Sequence, residues 1–362
     1  LTGELRTVTD YGKQVIDTID TIGSSGAAIC LDTSMDPKRL IEAAVGSVSE
    51  QLMVLDPQLI SLVEAQTASA NHILSHIFSG GGKRIRPALF FLSCRLVQYS
   101  GPHFIPIAAV CEYVHAASLL HDDVIDNSSL RRGKPTANTI WGDESAVLVG
   151  DLIYARASEL MAQTGSLEIV SMFARAIRLM SDGELLQLEH LFNPSMSQEV
   201  YFKIVEHKTA ILLGAACRAP AVLAGATKEI CDALENFGRS IGFAFQLLDD
   251  ALDYAGTDHI FGKKTLADLP DGKVTLPVIL LKSKATSDEW SFVEQLIHEE
   301  SISGAAMQHI LDLVNQYDTA GQTLAMASSW TDLALKSLSI FPESDAKSDL
   351  KTLAQRLLLR LS

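Results

Sequence analysis

Two clusters of aspartate stand out, each at the end of an apolar run. Ser118-Leu119-Leu120-His121 leads into Asp122, Asp123 and Asp126, and Phe245-Gln246-Leu247-Leu248 leads into Asp249, Asp250 and Asp253. In a helix, the first and last Asp of a cluster stand four residues apart on one face. Carboxylates at the polar ends of two otherwise buried helices are costly to hold together without cations. Hard divalent ions with oxygen ligands resolve that cost, and Mg²⁺ shared with substrate phosphates is the usual case. A single such cluster reads as a solvated acidic face. The doublets Leu119-Leu120 and Leu247-Leu248 argue against that reading for the pair.

Cations flank both clusters. Gly80-Gly81-Gly82-Lys83-Arg84-Ile85-Arg86-Pro87 gathers Lys83, Arg84 and Arg86 around a turn just before a helix, where glycine lets the backbone approach an anion. Leu130-Arg131-Arg132-Gly133-Lys134-Pro135 follows the first cluster. Gly262-Lys263-Lys264 and Lys273 follow the second, and Lys208-Thr209 lies between the clusters. Each Lys or Arg alone would be a surface charge. Together, in a chain of net charge −15, they suggest two diphosphate sites, one bridged by metal and one bound directly by Arg, Lys and His. The same net charge excludes a general nucleic-acid binder, which needs a basic excess.

The elements that must hold these residues are helical. Spacings of three and four recur over 38–54, 58–78, 86–98, 104–122, 144–163, 166–190, 197–217, 228–254 and onward to 346–361. Breaks fall at Gly101-Pro102, Gly133-Lys134-Pro135, Asn193-Pro194 and Pro270-Asp271-Gly272. Alternating strand-like segments are almost absent. The 362 residues, 47% hydrophobic, predict an all-α single large bundle with a central cavity between the helices that carry the acid clusters. Residues 35–362 form the expected catalytic domain. Residues 1–34 read as a poorly ordered extension, with Asp36 and Pro37 as the next helix start. The five scattered cysteines read as reduced core residues, and no apolar stretch reaches membrane-spanning length, so a cytoplasmic protein is expected.

The ordered set GGKRIRP, HAASLLHDDVID, RRGKPTAN, VGDLIYARA, HKTA, FQLLDDALD and GKKTLADLPDGKVTLP, spread over residues 80–280, resembles the trans-polyprenyl diphosphate synthase family of type I isoprenoid synthases, nearest its bacterial long-chain octaprenyl members. The resemblance implies Mg²⁺, three ions per site with substrate bound, held by Asp122, Asp123, Asp126, Asp249, Asp250 and Asp253. Lys208, with Arg131, Thr209, Gln246, Lys263 and Lys273, would steady the allylic diphosphate. Lys83, Arg86, His115 and Arg132 would form a metal-free pocket for isopentenyl diphosphate. A homodimer is implied, with transient membrane contact for product release.

The growing product must run down between the helices. Positions four and five before Asp122 lie roughly 6–7.5 Å below the metal site at about 1.5 Å per residue. They are Ser118 and Ala117, where short-chain members often carry aromatic rings. Small residues predict a long tunnel, with Ser158, where long-chain relatives often have Phe, and Met161 at its deep end. The expected product is C40 octaprenyl diphosphate for a quinone side chain. The rivals are a geranylgeranyl diphosphate synthase, a class I terpene cyclase and a non-catalytic subunit of a heteromeric synthase. Retention of both complete Asp clusters speaks against the last.

Overall fold

The computed structural model describes residues 45–79, 84–131, 133–254, 266–299 and 302–358. The expected extension 1–34 and the helix start at Asp36 lie outside the described residues. Helices α1 (Ser49–Ser61), α2 (Ala68–Phe78), α3 (Ile85–Leu96) and α4 (Phe104–Ile125) lead to a two-stranded hairpin, β1 (Leu130–Arg131) and β2 (Lys134–Pro135). Next come α5 (Ala137–Trp141), α6 (Asp143–Ala162), α7 (Leu167–Glu189), α8 (Gln198–Val205), α9 (Ile211–Leu223) and α10 (Lys228–Asp253). The chain then continues through α11 (Leu276–Lys282), α12 (Ser287–Ile297), α13 (Gly304–Gln316), α14 (Thr319–Ser337) and α15 (Asp345–Leu358).

Local chemistry sets many of these starts. The hydroxyls of Thr67, Ser166, Ser197 and Ser303 accept backbone N–H groups in the first turns of α2, α7, α8 and α13. Thr286 and Glu289 form a capping box on α12. Two differences from the sequence expectation have clear causes. The expected helix 58–78 is two helices, because Glu64 turns left-handed at φ 58° and Thr67 caps a fresh start. The gap left between the expected helices 38–54 and 58–78 is itself helical, with Pro57 inside α1.

The core falls into two clusters that share α10. Leu234, Phe237 and Ile241 pack in the first, with residues of α2–α7 and α9. Phe243, Ala244 and Leu247 pack in the second, with α8 and α11–α14. Helix α10 packs most extensively against α14 and α9, and α4 against α6. By length and apolarity Phe104–Ile125 meets the requirement of a membrane span, against the expectation of none. Every residue from Ile107 to Val114 on this helix is buried inside the protein, which explains its apolar character without a bilayer.

Between α8 and α9, residues Glu206–Ala210 form one π-helical turn inside what the sequence presents as a continuous helix. Such turns are rare and concentrate at functional sites. It is held between α7 and α10, where two glycines allow backbone contact. A Cβ on Gly183 would lie 2.6 Å from His207 Cβ, and one on Gly242 would lie 2.4 Å from Ala210 Cα. Because the Gly242 neighbour is backbone and cannot rotate away, Gly242→Ala is expected to destabilise the protein by ~1–3 kcal/mol, the cost of overpacking a filled core. A lowered thermal midpoint in calorimetry checks this.

Candidate active site

The two Asp clusters occupy the C-terminal turns of α4 and α10. On α4, Asp122 is half-buried, Asp123 is 5% exposed and Asp126 is the C-cap residue. On α10, Asp250 is 3% exposed, while Asp249 and Asp253 are half-buried. Burial and then the nearby Glu184 push the Asp122 carboxyl up to about 6, against the pull of Lys208. Burial and then Asp268 push Asp250 up as well, against its hydrogen bonds.

Counter-groups come from several elements. Arg131, on the hairpin, donates from Nε to Asp123 Oδ1 at 2.8 Å. Lys273 Nζ reaches Asp126 Oδ2 at 3.4 Å, so a segment following the second cluster touches the first. Asp253 is the hinge of that connection. Its carbonyl accepts Leu266 N–H at 2.8 Å, and its carboxylate accepts the N–H groups of Ala267 and Asp268 at 2.9 and 3.2 Å. Leu266 turns left-handed there, φ 54°.

The π turn supplies Lys208 and Thr209. Lys208 Nζ pairs with Glu184 Oε2 at 2.5 Å and donates to Gln187 Oε1 at 3.0 Å, both on α7. Thr209 Oγ1 donates to Gln246 Oε1 at 3.0 Å, and Gln246 Nε2 donates to Asp250 Oδ1 at 2.8 Å. Tyr201 OH completes the chain on Asp250 Oδ2 at 2.5 Å.

Two cavities meet at Lys208. One, of about 220 Å³, has a mixed wall, with Thr209, Gln246, Asp250, Asp268 and Lys273 beside Leu191, Met196, Ile204, Val205 and Val274. The other, of about 300 Å³, begins at Asp122 and Glu184 and continues past Ser118, Tyr154, Met180 and Leu185. The first can take a charged head group and the second a hydrocarbon chain.

These positions sort the sequence expectations. Asp122, Asp250, Lys208, Thr209, Gln246 and Lys273 line the two cavities. Asp126 joins them through its ion pair with Lys273, and Asp123 pairs with Arg131. Arg86 in the first turn of α3 and His115 on α4 are half-buried. Arg86 lies close enough to Cys111, one turn before His115, for its charge to lower that thiol's otherwise raised pKa. Lys83, Arg132 and Lys263 lie outside the described residues. Among the chain-length residues only Ser118 lines the cavity; Ala117 and Met161 are buried in the core cluster, and Ser158 is exposed on α6. Glu184, Gln187, Tyr201, Asp268, Tyr154 and Met180 were missed. Asp268 and Tyr154 stand inside the quoted GKKTLADLPDGKVTLP and VGDLIYARA segments, and Glu184 and Gln187 interrupt an apolar stretch at helical spacing, so signals existed for these four.

The donor set fits a hard divalent cation, because the acids at the cavity offer only oxygen. Among the described residues no three Asp, Glu, His or Cys side chains form a preformed cage.

An all-helical bundle with carboxylate-tipped helices around such a cavity has the fold of a type I isoprenoid synthase. The solved decaprenyl diphosphate synthase of Rhodobacter capsulatus superposes with a TM-score of 0.85 at 33% identity, covering 89% of this chain and 99% of that one. A polyprenyl synthase of Caulobacter crescentus CB15, complexed with calcium and isoprenyl diphosphate, gives 0.83 at 36% identity, covering 89% and 98%. The octaprenyl diphosphate synthase of Escherichia coli K12 is 35% identical over 306 residues, 84% of this chain and 94% of its own. Residues 67–314 match the polyprenyl synthetase family model, so the chain belongs to that family and is a prenyltransferase.

Tyr201→Phe leaves a buried oxygen of Asp250 without its donor, an expected loss of ~1–3 kcal/mol. The check is the midpoint of chemical denaturation, and an unchanged midpoint would show that the hydroxyl contributes nothing.

Proposed function

We propose that the protein is a long-chain trans-polyprenyl diphosphate synthase, adding isopentenyl diphosphate repeatedly and head to tail to an allylic diphosphate such as farnesyl diphosphate. The observation that carries the reading is the pair of cavities sharing Lys208, one presenting Thr209, Asp250, Asp268 and Lys273 and one lined by Tyr154, Met180 and Leu185. A diphosphate in the first and its hydrocarbon tail in the second would lie across the acids that close α4 and α10.

Asp122, Asp123, Asp126, Asp249, Asp250 and Asp253 are the residues proposed to hold Mg²⁺, three ions with substrate bound. Bound there, Mg²⁺ would neutralise the diphosphate as it leaves. The chain's own cations share that task. Lys208 and Lys273, with Arg131 and Lys263, are fixed counter-charges for the departing group, an electrostatic rather than nucleophilic form of catalysis. Thr209 and Gln246 are already oriented by their mutual bond and by Asp250. They would steady the allylic diphosphate from that wall of the cavity.

Lys83, Arg86, His115 and Arg132 would grip isopentenyl diphosphate. Its double bond attacks the allylic carbon as the C–O bond breaks. A proton is then lost to the released diphosphate, so no separate general base is required. The working unit is proposed to be a homodimer, since Val147 and Leu148 on α6 and Leu167 on α7 leave apolar surface for a second copy to cover.

Purified protein given farnesyl diphosphate, labelled isopentenyl diphosphate and Mg²⁺ is expected to yield C40 products, with C45–C50 close behind, on chromatography. Absence of elongation would reject the proposal, and a C20 stop would mean that Tyr154 and Met180 close the cavity early. Ser118→Tyr places a ring in the cavity and is expected to shorten the product by several units. Ala117→Tyr, at a site with no accessible surface, is expected instead to lower stability.

A further inference from the structure

Arg84 is the third cation of the Gly80–Pro87 segment, and the resemblance gives it no role. The structure turns it inward. Its backbone is left-handed, φ 45°, and the residue is 9% exposed. All three guanidinium nitrogens are engaged. Nε donates to Asp56 Oδ1 at 2.8 Å, Nη1 to Glu112 Oε1 at 2.6 Å and Nη2 to the Phe78 carbonyl at 2.8 Å. The side chain therefore joins the end of α2, the start of α3, the middle of α4 and α1.

We propose that Arg84 is a positioning residue for the isopentenyl diphosphate pocket, its ion pair with Glu112 setting the spacing between Arg86 and His115. The proposal rests on the functional reading above, which gives Arg86 and His115 to that substrate. Glu112 lies three residues before His115, close to one turn, so the two share a face of α4. Arg84 lies two residues before Arg86 at the opening of α3. Fixing Arg84 on Glu112 thus fixes the first turn of α3 on the His115 face. Hydrophobic replacements of a buried ion pair are often as stable as the pair itself, so the value of this one lies in its geometry. The left-handed backbone at Arg84, disfavoured for a residue with a Cβ, is what aims the side chain inward. Lysine cannot reproduce a fork that satisfies three acceptors at once.

The test uses Arg84→Lys, Glu112→Gln and the double variant. Binding of isopentenyl diphosphate alone is read by calorimetry, and steady-state constants are measured with each substrate varied. The expected result is isopentenyl diphosphate binding weakened about tenfold or more and KM for that substrate raised in parallel, with KM for farnesyl diphosphate within about twofold. The double variant is expected to be no worse than the more severe single one, because the two residues act as a unit. Should Arg84→Lys fail to fold, Asp56→Asn removes the half-exposed partner only and is expected to weaken isopentenyl diphosphate binding about two- to threefold. Equal rises in both KM values, or unchanged isopentenyl diphosphate binding by folded variants, would overturn the proposal. A parent protein that binds isopentenyl diphosphate but elongates nothing would overturn the functional reading, while weakened binding in the variants would still support the strut. A parent that binds none overturns both.

Discussion

The rest of the structure depends on one electrostatic demand: carboxylates must be held close together at the ends of two apolar helices. Asp123 and Asp250 lie almost out of reach of water, where an unpaired charge is very unfavourable. The surrounding elements answer it from different directions. The β hairpin brings Arg131, the segment after α10 brings Lys273, α8 brings Tyr201 and the π turn brings Lys208. Burial, and then the neighbouring carboxylates Glu184 and Asp268, still hold the Asp122 and Asp250 carboxyls above the usual carboxylate range. A cation bound at the cavity would favour the ionised form of both carboxyls, which is the demand the proposed function would meet.

Helix geometry decides which counter-groups can reach. Adjacent residues on a helix point about 100° apart. Within the π turn, Lys208 accordingly meets α7 at Glu184 and Gln187 while Thr209 meets α10 at Gln246. The closeness of the three backbones at Gly183 and Gly242 leaves the turn little room to relax.

Much of this was legible in the sequence. The acid clusters and the all-helical class follow from spacing, because each depends on residues near one another in the chain. What the sequence hid depends on direction. Arg84 and Arg86 look alike in the chain, yet Arg84 has its whole guanidinium engaged internally, set by a left-handed backbone that no pattern announces. Counting back from Asp122 found the right height for Ser118 and Ala117, but only Ser118 turns toward the cavity. Ser158 was assigned to the tunnel by analogy and faces outward on α6. Tyr154 and Met180 sit on helices that the count along α4 did not consider. The π turn was invisible because one inserted residue leaves the apolar spacing nearly intact.

Helix α10 contributes to both apolar cores, with Phe237 and Ile241 in one and Phe243 and Leu247 in the other. The two halves of the molecule consequently share a rigid axle rather than a soft boundary, and opening either core loosens the same helix. Asp249, Asp250 and Asp253 form the last turn of that axle. Substitutions far from any carboxylate, in either core, therefore have a mechanical route to the reacting bond. A homologue adapted to cold or heat through its interior would retune its chemistry in the same stroke.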